Sequence, residues 1–103
     1  MDTFQYRDTH LFCEDVPVEA LVVEYGTPLY VYSAAGILGR YASFTSAFGA
    51  VDPLIAYSVK ANGNLAVLKL LAGAGAGADI VSGGELHRAR LAGIPPERIV
   101  FSG

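Results

Sequence analysis

The carboxyl-terminal two-thirds of this chain predicts an α/β fold with a parallel sheet. Three observations predict it. Short runs rich in β-branched and aromatic residues, "LIAYSVK" (54–60), "ADIVS" (78–82) and "RIVFS" (98–102), recur about every 22 residues. Helical segments, "LAVLKLLA" (65–72) and "ELHRARLA" (85–92), separate them. Each helix is bracketed by start and stop chemistry. Strands joined through helices make right-handed crossovers and lie parallel.

Residues 1–25 mix short apolar runs with acids, and "VPVEALVVEYG" is compatible with either a short helix or a strand. Gly26, Thr27 and Pro28 form a turn signal. "LYVYS" (29–33) reads as a strand, and Ser33 as the N-cap of the next helix. There Ile37, Leu38, Tyr41, Phe44 and Phe48 fall on one helical face, with Gly39 weakening the helix. Asn64 caps "LAVLKLLA", which is apolar on nearly every side and therefore expected between two layers. Glycines 73, 75 and 77 stop it. Ser82-Gly83-Gly84-Glu85 has capping-box spacing. Gly93 ends the second helix, and Pro95 and Pro96 prevent its resumption.

The 103 residues suffice for one small domain, and 52% are hydrophobic against 17% charged. A net charge of −3 and scattered basic residues give no reason to expect nucleic acid or an anionic membrane as partner. The polar start "MDTFQYRDTH" does not resemble a signal peptide. "LLAGAGAGA" is too short to span a bilayer, which takes about 20 apolar residues. Cys13 is the sole cysteine, which excludes an internal disulfide and a multi-thiolate metal site and suits a reducing, cytoplasmic setting. No metal site is expected. The glycines of "GAGAGAD" end a helix and precede a strand, the reverse of a dinucleotide-binding loop.

Lys60 is the residue that asks for an explanation. On an extended strand Leu54, Ala56, Ser58 and Lys60 share one face, and Ile55, Tyr57 and Val59 the other. The first face narrows to small side chains beside the amine, which leaves room for a flat ligand. Parallel α/β folds bind ligands at the carboxyl ends of their strands. A lysine there either snorkels to solvent or serves as a nucleophile. An unperturbed lysine, with a pKa of about 10.4, is protonated near neutrality. A strand end offering both access and dehydration would free its lone pair.

"YSVKANGNLAVLKLLA" followed by "GAGADIVSGGELHRARLAGIPPERIVFSG", with "YGTPLYVYS" upstream, resembles the ornithine/diaminopimelate/arginine decarboxylase family of alanine-racemase fold type. The likeness runs from about Tyr25 to Gly103, and weakly through "FQYRD"; "SGGEL" in register with "VKAN" favours the diaminopimelate branch. The resemblance implies an incomplete (β/α)8 TIM-type barrel of about three β/α units. Residues 34–103 would begin that pyridoxal-phosphate-binding barrel. Residues 1–33 would belong to a separate β-domain, with an amino-terminal strand preceding the barrel. It implies that Lys60 forms a Schiff base with pyridoxal 5′-phosphate. The parent enzyme would convert meso-diaminopimelate to L-lysine and CO2, as a homodimer with shared active sites. The partner is then a small amino-acid substrate.

The resemblance also aligns Asp79 with an acid near the cofactor-bearing lysine; a polar residue at a strand start is the competing explanation. Ser82 and Glu85 are candidates for the cofactor pocket, although a helix cap accounts for both. Asn62 either lines the mouth of the site or turns the chain. His87 does not match the family's ring-stacking histidine, and Cys13 does not match its functional cysteine.

A whole barrel of this kind takes about 250 residues. The phosphate-gripping loop, the acid that pairs with the pyridine nitrogen and the carboxyl-terminal domain are all missing. An inactive amino-terminal fragment is therefore expected. Its open edges and uncovered face predict poor solubility. Two other readings stay open: a family member acting on ornithine, arginine or carboxynorspermidine, and a non-catalytic interaction module that kept the first units of the barrel.

Overall fold

A computed structural model describes residues 2–103, which form two compact units, one ending at Arg40 and one starting at Tyr41. The first unit opens with an antiparallel meander of β1 (Phe4–Arg7), β2 (His10–Cys13) and β3 (Val16–Pro17). Arg7 pairs with His10 across a two-residue turn whose residues, Asp8 and Thr9, have φ of 51° and 75°. Such primed turns follow strand twist and usually carry glycine or asparagine. Helix α1 (Val18–Tyr25) follows directly and stops at Gly26, whose φ is 78°. The ambiguous stretch is thus a two-residue strand running into a helix.

Residues 29–33 correct an expectation: they join no ladder among the described residues. A β-favouring sequence without a neighbouring strand has nothing to pair with. Ser33 caps α2 (Ala34–Ser46) as expected, accepting from the Gly36 N–H at 2.9 Å. Glu14, itself at φ 54°, adds a second contact. Its carboxylate accepts from the Ser33 hydroxyl at 2.8 Å and from the Ala35 N–H at 3.2 Å. A negative charge at a helix N-terminus is favourable. Cys13 beside it is buried, and burial, reinforced by the Glu14 charge, pushes its thiol above its ordinary range. The expected apolar face of α2 buries none of its residues, and Phe48 lies past the helix end; Phe44 and Phe48 meet edge to face at 5.7 Å.

The second unit contains β4 (Ala56–Ser58), α3 (Leu65–Gly73), β5 (Gly77–Ile80), α4 (Gly83–Leu91) and β6 (Ile99–Phe101), and the strands form a parallel sheet in the order β4-β5-β6. Tyr57, Ala78 and Ile99 align across it, as do Ser58, Asp79 and Val100. The first row faces the helices. Val59, Ala78 and Ile80 pack with Leu68, Ala89, Ala92 and Ile94 in one core, with Tyr57 and Ile99 at its margin. Helix α3 buries Val67, Leu68 and Leu71 while Ala66 and Lys69 are exposed. It therefore covers one layer and is not enclosed between two.

Both helices end the same way. Gly75 (φ 98°) and Gly93 (φ 95°) adopt the left-handed conformation after Ala74 and Ala92. Ala76 N–H reaches Leu71 O and Ile94 N–H reaches Ala89 O. These are Schellman endings, each placing a buried apolar residue just past the glycine. Gly77 has a different role. A Cβ there would lie 2.3 Å from the Arg98 carbonyl oxygen and 2.8 Å from Leu54 Cδ1. We expect Gly77→Ala to destabilise the protein by about 1–3 kcal/mol through overpacking. Gly83→Ala, where a Cβ meets nothing within 4 Å, should be close to neutral. Denaturant midpoints of the two variants check this.

Candidate functional site

Alternation along the strands sends Ser58 and Asp79 to the side of the sheet away from the helices, because their neighbours Tyr57, Val59, Ala78 and Ile80 belong to the core side. On that open side Ala56 and Gly77 pair as small residues, followed by Ser58 and Asp79. Asp79 accepts from Ser58 Oγ at its Oδ2, 3.1 Å away, and from Ser102 Oγ at its Oδ1, 2.5 Å away. Strand β4, strand β5 and the residue after β6 thus meet at one half-buried carboxylate at the carboxyl end of the sheet.

Lys60 lies just beyond β4. The chain leaves the ladder after Ser58 and closes a 3-10 turn, Val59–Ala61, which packs beside β5 and α4. Strand alternation therefore does not extend to Lys60, contrary to expectation. The amine is exposed and makes no hydrogen bond or ion pair among the described residues. The location supplies the expected access but not the expected dehydration, since Lys60 itself is exposed. Val59 anchors the turn by burying its side chain in the core.

Asn62 turns the chain. Its Oδ1 accepts from the Asn64 N–H at 3.0 Å, its N–H donates to Val59 O at 3.1 Å, and its carbonyl accepts from the Tyr57 hydroxyl at 3.3 Å. Arg88 of α4 secures the same loop by donating to Gly63 O at 3.0 Å. Asn64 then caps α3 through the Ala66 N–H at 2.9 Å. Ser82 and Glu85 act as a cap. Ser82 Oγ accepts from the Glu85 N–H at 3.1 Å, and the Glu85 carboxylate accepts from the Val81 N–H at 2.9 Å. His87 is exposed on α4.

The structure brings Asp79 together with Ser58 and Ser102, of which sequence reasoning had noticed Ser58 only as a small neighbour and Ser102 only as the end of a strand. The 21-residue step from Ser58 to Asp79 in the ladder was the available signal. Among the described residues no group of three or more His, Cys, Asp and Glu could hold a metal, and no helix is long and apolar enough to cross a membrane. A cleft in the first unit, lined by Cys13, Val16, Leu21, Val31 and Tyr32, contains none of the predicted site residues.

Residues 34–103 match the family described as pyridoxal-dependent decarboxylase, pyridoxal binding domain. Diaminopimelate decarboxylase of Aquifex aeolicus is 56% identical over 99 residues, covering 96% of this chain and 23% of the relative. That of Pseudomonas aeruginosa is 50% identical over 103 residues, covering all of this chain and 25% of the relative. The crystal structure of diaminopimelate decarboxylase from M. jannaschii in co-complex with L-lysine superposes with a TM-score of 0.90 at 40% identity, over 97% of this chain and 24% of that one. The chain spans about a quarter of the length of the curated relatives it matches.

The cap at α4 yields a direct test. Ser82→Ala should cost about 1 kcal/mol of stability, and Ser82→Asp, which keeps an acceptor, should retain most of it. Chemical denaturation of the two variants measures the difference.

Proposed function

This chain belongs to the pyridoxal-dependent decarboxylase family, and from that premise we propose that it supplies the lysine-bearing part of a diaminopimelate decarboxylase. The reaction would be loss of CO2 from meso-2,6-diaminopimelate to give L-lysine. The observation that carries this reading is the placement of Lys60 in the turn at the carboxyl end of β4, next to the strand bearing Asp79, in a chain that aligns from end to end with such enzymes. The co-complex of a structural relative with L-lysine supports the choice of substrate class.

The residues fit the cofactor at its aldehyde end. Lys60 offers an accessible, unpaired amine for covalent attachment in the turn that follows β4. Pyridoxal 5′-phosphate, when bound, supplies an electron sink for the pair left behind as CO2 departs. Asp79 is an acceptor for a protonated nitrogen and is held in place by two hydroxyls. Ser82, Glu85 and Asn62 would contribute by fixing backbone around the site, through the bonds described above. The grip on the phosphate falls to elements beyond these.

The finer architecture follows from the same premise. Residues 34–103 would open a (β/α)8 barrel and residues 1–33 would belong to a β-domain, in a cytoplasmic homodimer. Two tests are decisive. Borohydride reduction of the full-length protein loaded with pyridoxal 5′-phosphate should label Lys60 on peptide mapping; label confined to any other residue overturns the assignment. The 103-residue chain on its own should release no CO2 from meso-diaminopimelate, and measurable release would show that the rest of the barrel is dispensable.

A further inference from the structure

Asp79 is the one carboxylate in the second unit that receives hydroxyl donors on both oxygens among the described residues. Neither donor is free to wander. Ser58 sits in the β4–β5 ladder, in register with Asp79 itself. The Ser102 backbone N–H donates to Ile80 O at 3.0 Å, which carries the β5–β6 pairing one residue past β6. The two hydroxyls are thus presented from paired backbone on either side of the carboxylate, and rigid elements of this kind hold a functional group more accurately than loops do.

An ionised carboxylate offers about four lone-pair sites. Two are taken here, one on each oxygen. The arrangement sits at the carboxyl end of a parallel sheet, on the face without helices, next to the strand that leads into the turn of Lys60. We propose that Ser58 and Ser102 are positioning residues that fix the plane of the Asp79 carboxylate, so that its unused lone pairs accept from a protonated nitrogen of the bound cofactor or substrate. This rests on the function proposed above and adds two residues to it. Hydrogen bonds to a part-buried carboxylate also contribute to stability, so the test must separate that share from an effect on the reaction.

The test uses the full-length protein and a mutant cycle. Ser58→Ala, Ser102→Ala and the double variant are each made with Asp79 and with Asp79→Asn. Affinity for pyridoxal 5′-phosphate is measured by absorbance titration, kcat and KM with meso-diaminopimelate, and melting temperature on the apoprotein. Removing both serines should lower kcat about tenfold to a hundredfold, the scale of a misplaced active-site group. Cofactor affinity should fall, KM should change little, and the melting temperature should fall by too little to leave the protein unfolded at the assay temperature. In the Asp79→Asn background the same serine changes should have little further effect, because coupled residues are non-additive. Ser58→Thr, which keeps the hydroxyl, should restore kcat.

Equal serine effects with and without Asp79 overturn the proposal, as do unchanged kcat and cofactor affinity in the double variant. Wild-type protein that binds no pyridoxal 5′-phosphate overturns the proposed function and this inference together. Additive losses in a protein that binds the cofactor and releases CO2 overturn this inference alone.

Discussion

One-sided burial of the β4-β5-β6 sheet is the constraint on which the second unit depends. Ala78 and Ile80 are almost wholly inaccessible, and they leave strand β5 on the side of Leu68, Ala89 and Ile94. A fully buried leucine or isoleucine contributes about 1.5–3 kcal/mol, and an alanine methyl about 0.8 kcal/mol. Shifting β5 by one residue would turn Asp79 into that core and Ala78 out of it, so the register is strongly specified. The polar face is a consequence. Once the apolar residues are committed to the helices, Ser58 and Asp79 have nowhere else to go, and the parallel register sets them side by side.

Backbone economy at the helix ends maintains this register. The same left-handed glycine closes α3 and α4, and in each case the next residue, Ala76 or Ile94, returns at once to the interior. Gly77 then allows β5 to run against the Arg98 backbone where a methyl group would collide. Arg98 closes the assembly from the other direction by donating to the Gly75 carbonyl. Helix end, strand start and neighbouring strand are therefore coupled in three residues, 75–77. A fault there would be felt at Asp79, two positions on.

Much of this was legible in the sequence because it is local. Asn64, Ser82 and Glu85 act on residues two to four positions away, and Gly93 acts on the turn that contains it, so composition and spacing reveal them. The recurrence of apolar runs disclosed the strands for the same reason. What was hidden depends on partners far along the chain. The β1–β2 hairpin turns on Asp8-Thr9, without the glycine or asparagine that marks such turns. Leu29–Ser33 has strand composition but no neighbour. Ser102 gains significance only through register with β5, a non-local fact. The alternating pattern puts Lys60 on the strand, whereas it lies in the 3-10 turn that follows. Val59 keeps a β-branched, buried side chain after the ladder has ended, so the pattern outlasts the hydrogen bonding.

That difference bears on the role proposed for the amine. On a strand, the backbone would aim Lys60 along the sheet face at a fixed angle, packed between neighbours. On a 3-10 turn the backbone is held by Val59 beneath it and by the Asn62 and Arg88 contacts after it, while the side chain is exposed and makes no hydrogen bond or ion pair among the described residues. A rigid base with a free amine suits a residue that must be bound to a ligand in one state and released in another, since ordering a lysine side chain costs up to about 2 kcal/mol of rotamer entropy each time. The neighbouring carboxylate shows the opposite choice: Asp79 is fixed by two hydroxyls before any ligand arrives. The division agrees with the roles proposed for the two groups: the amine that would change partners is left exposed on an anchored turn, and the carboxylate that would accept charge is held by two hydroxyls.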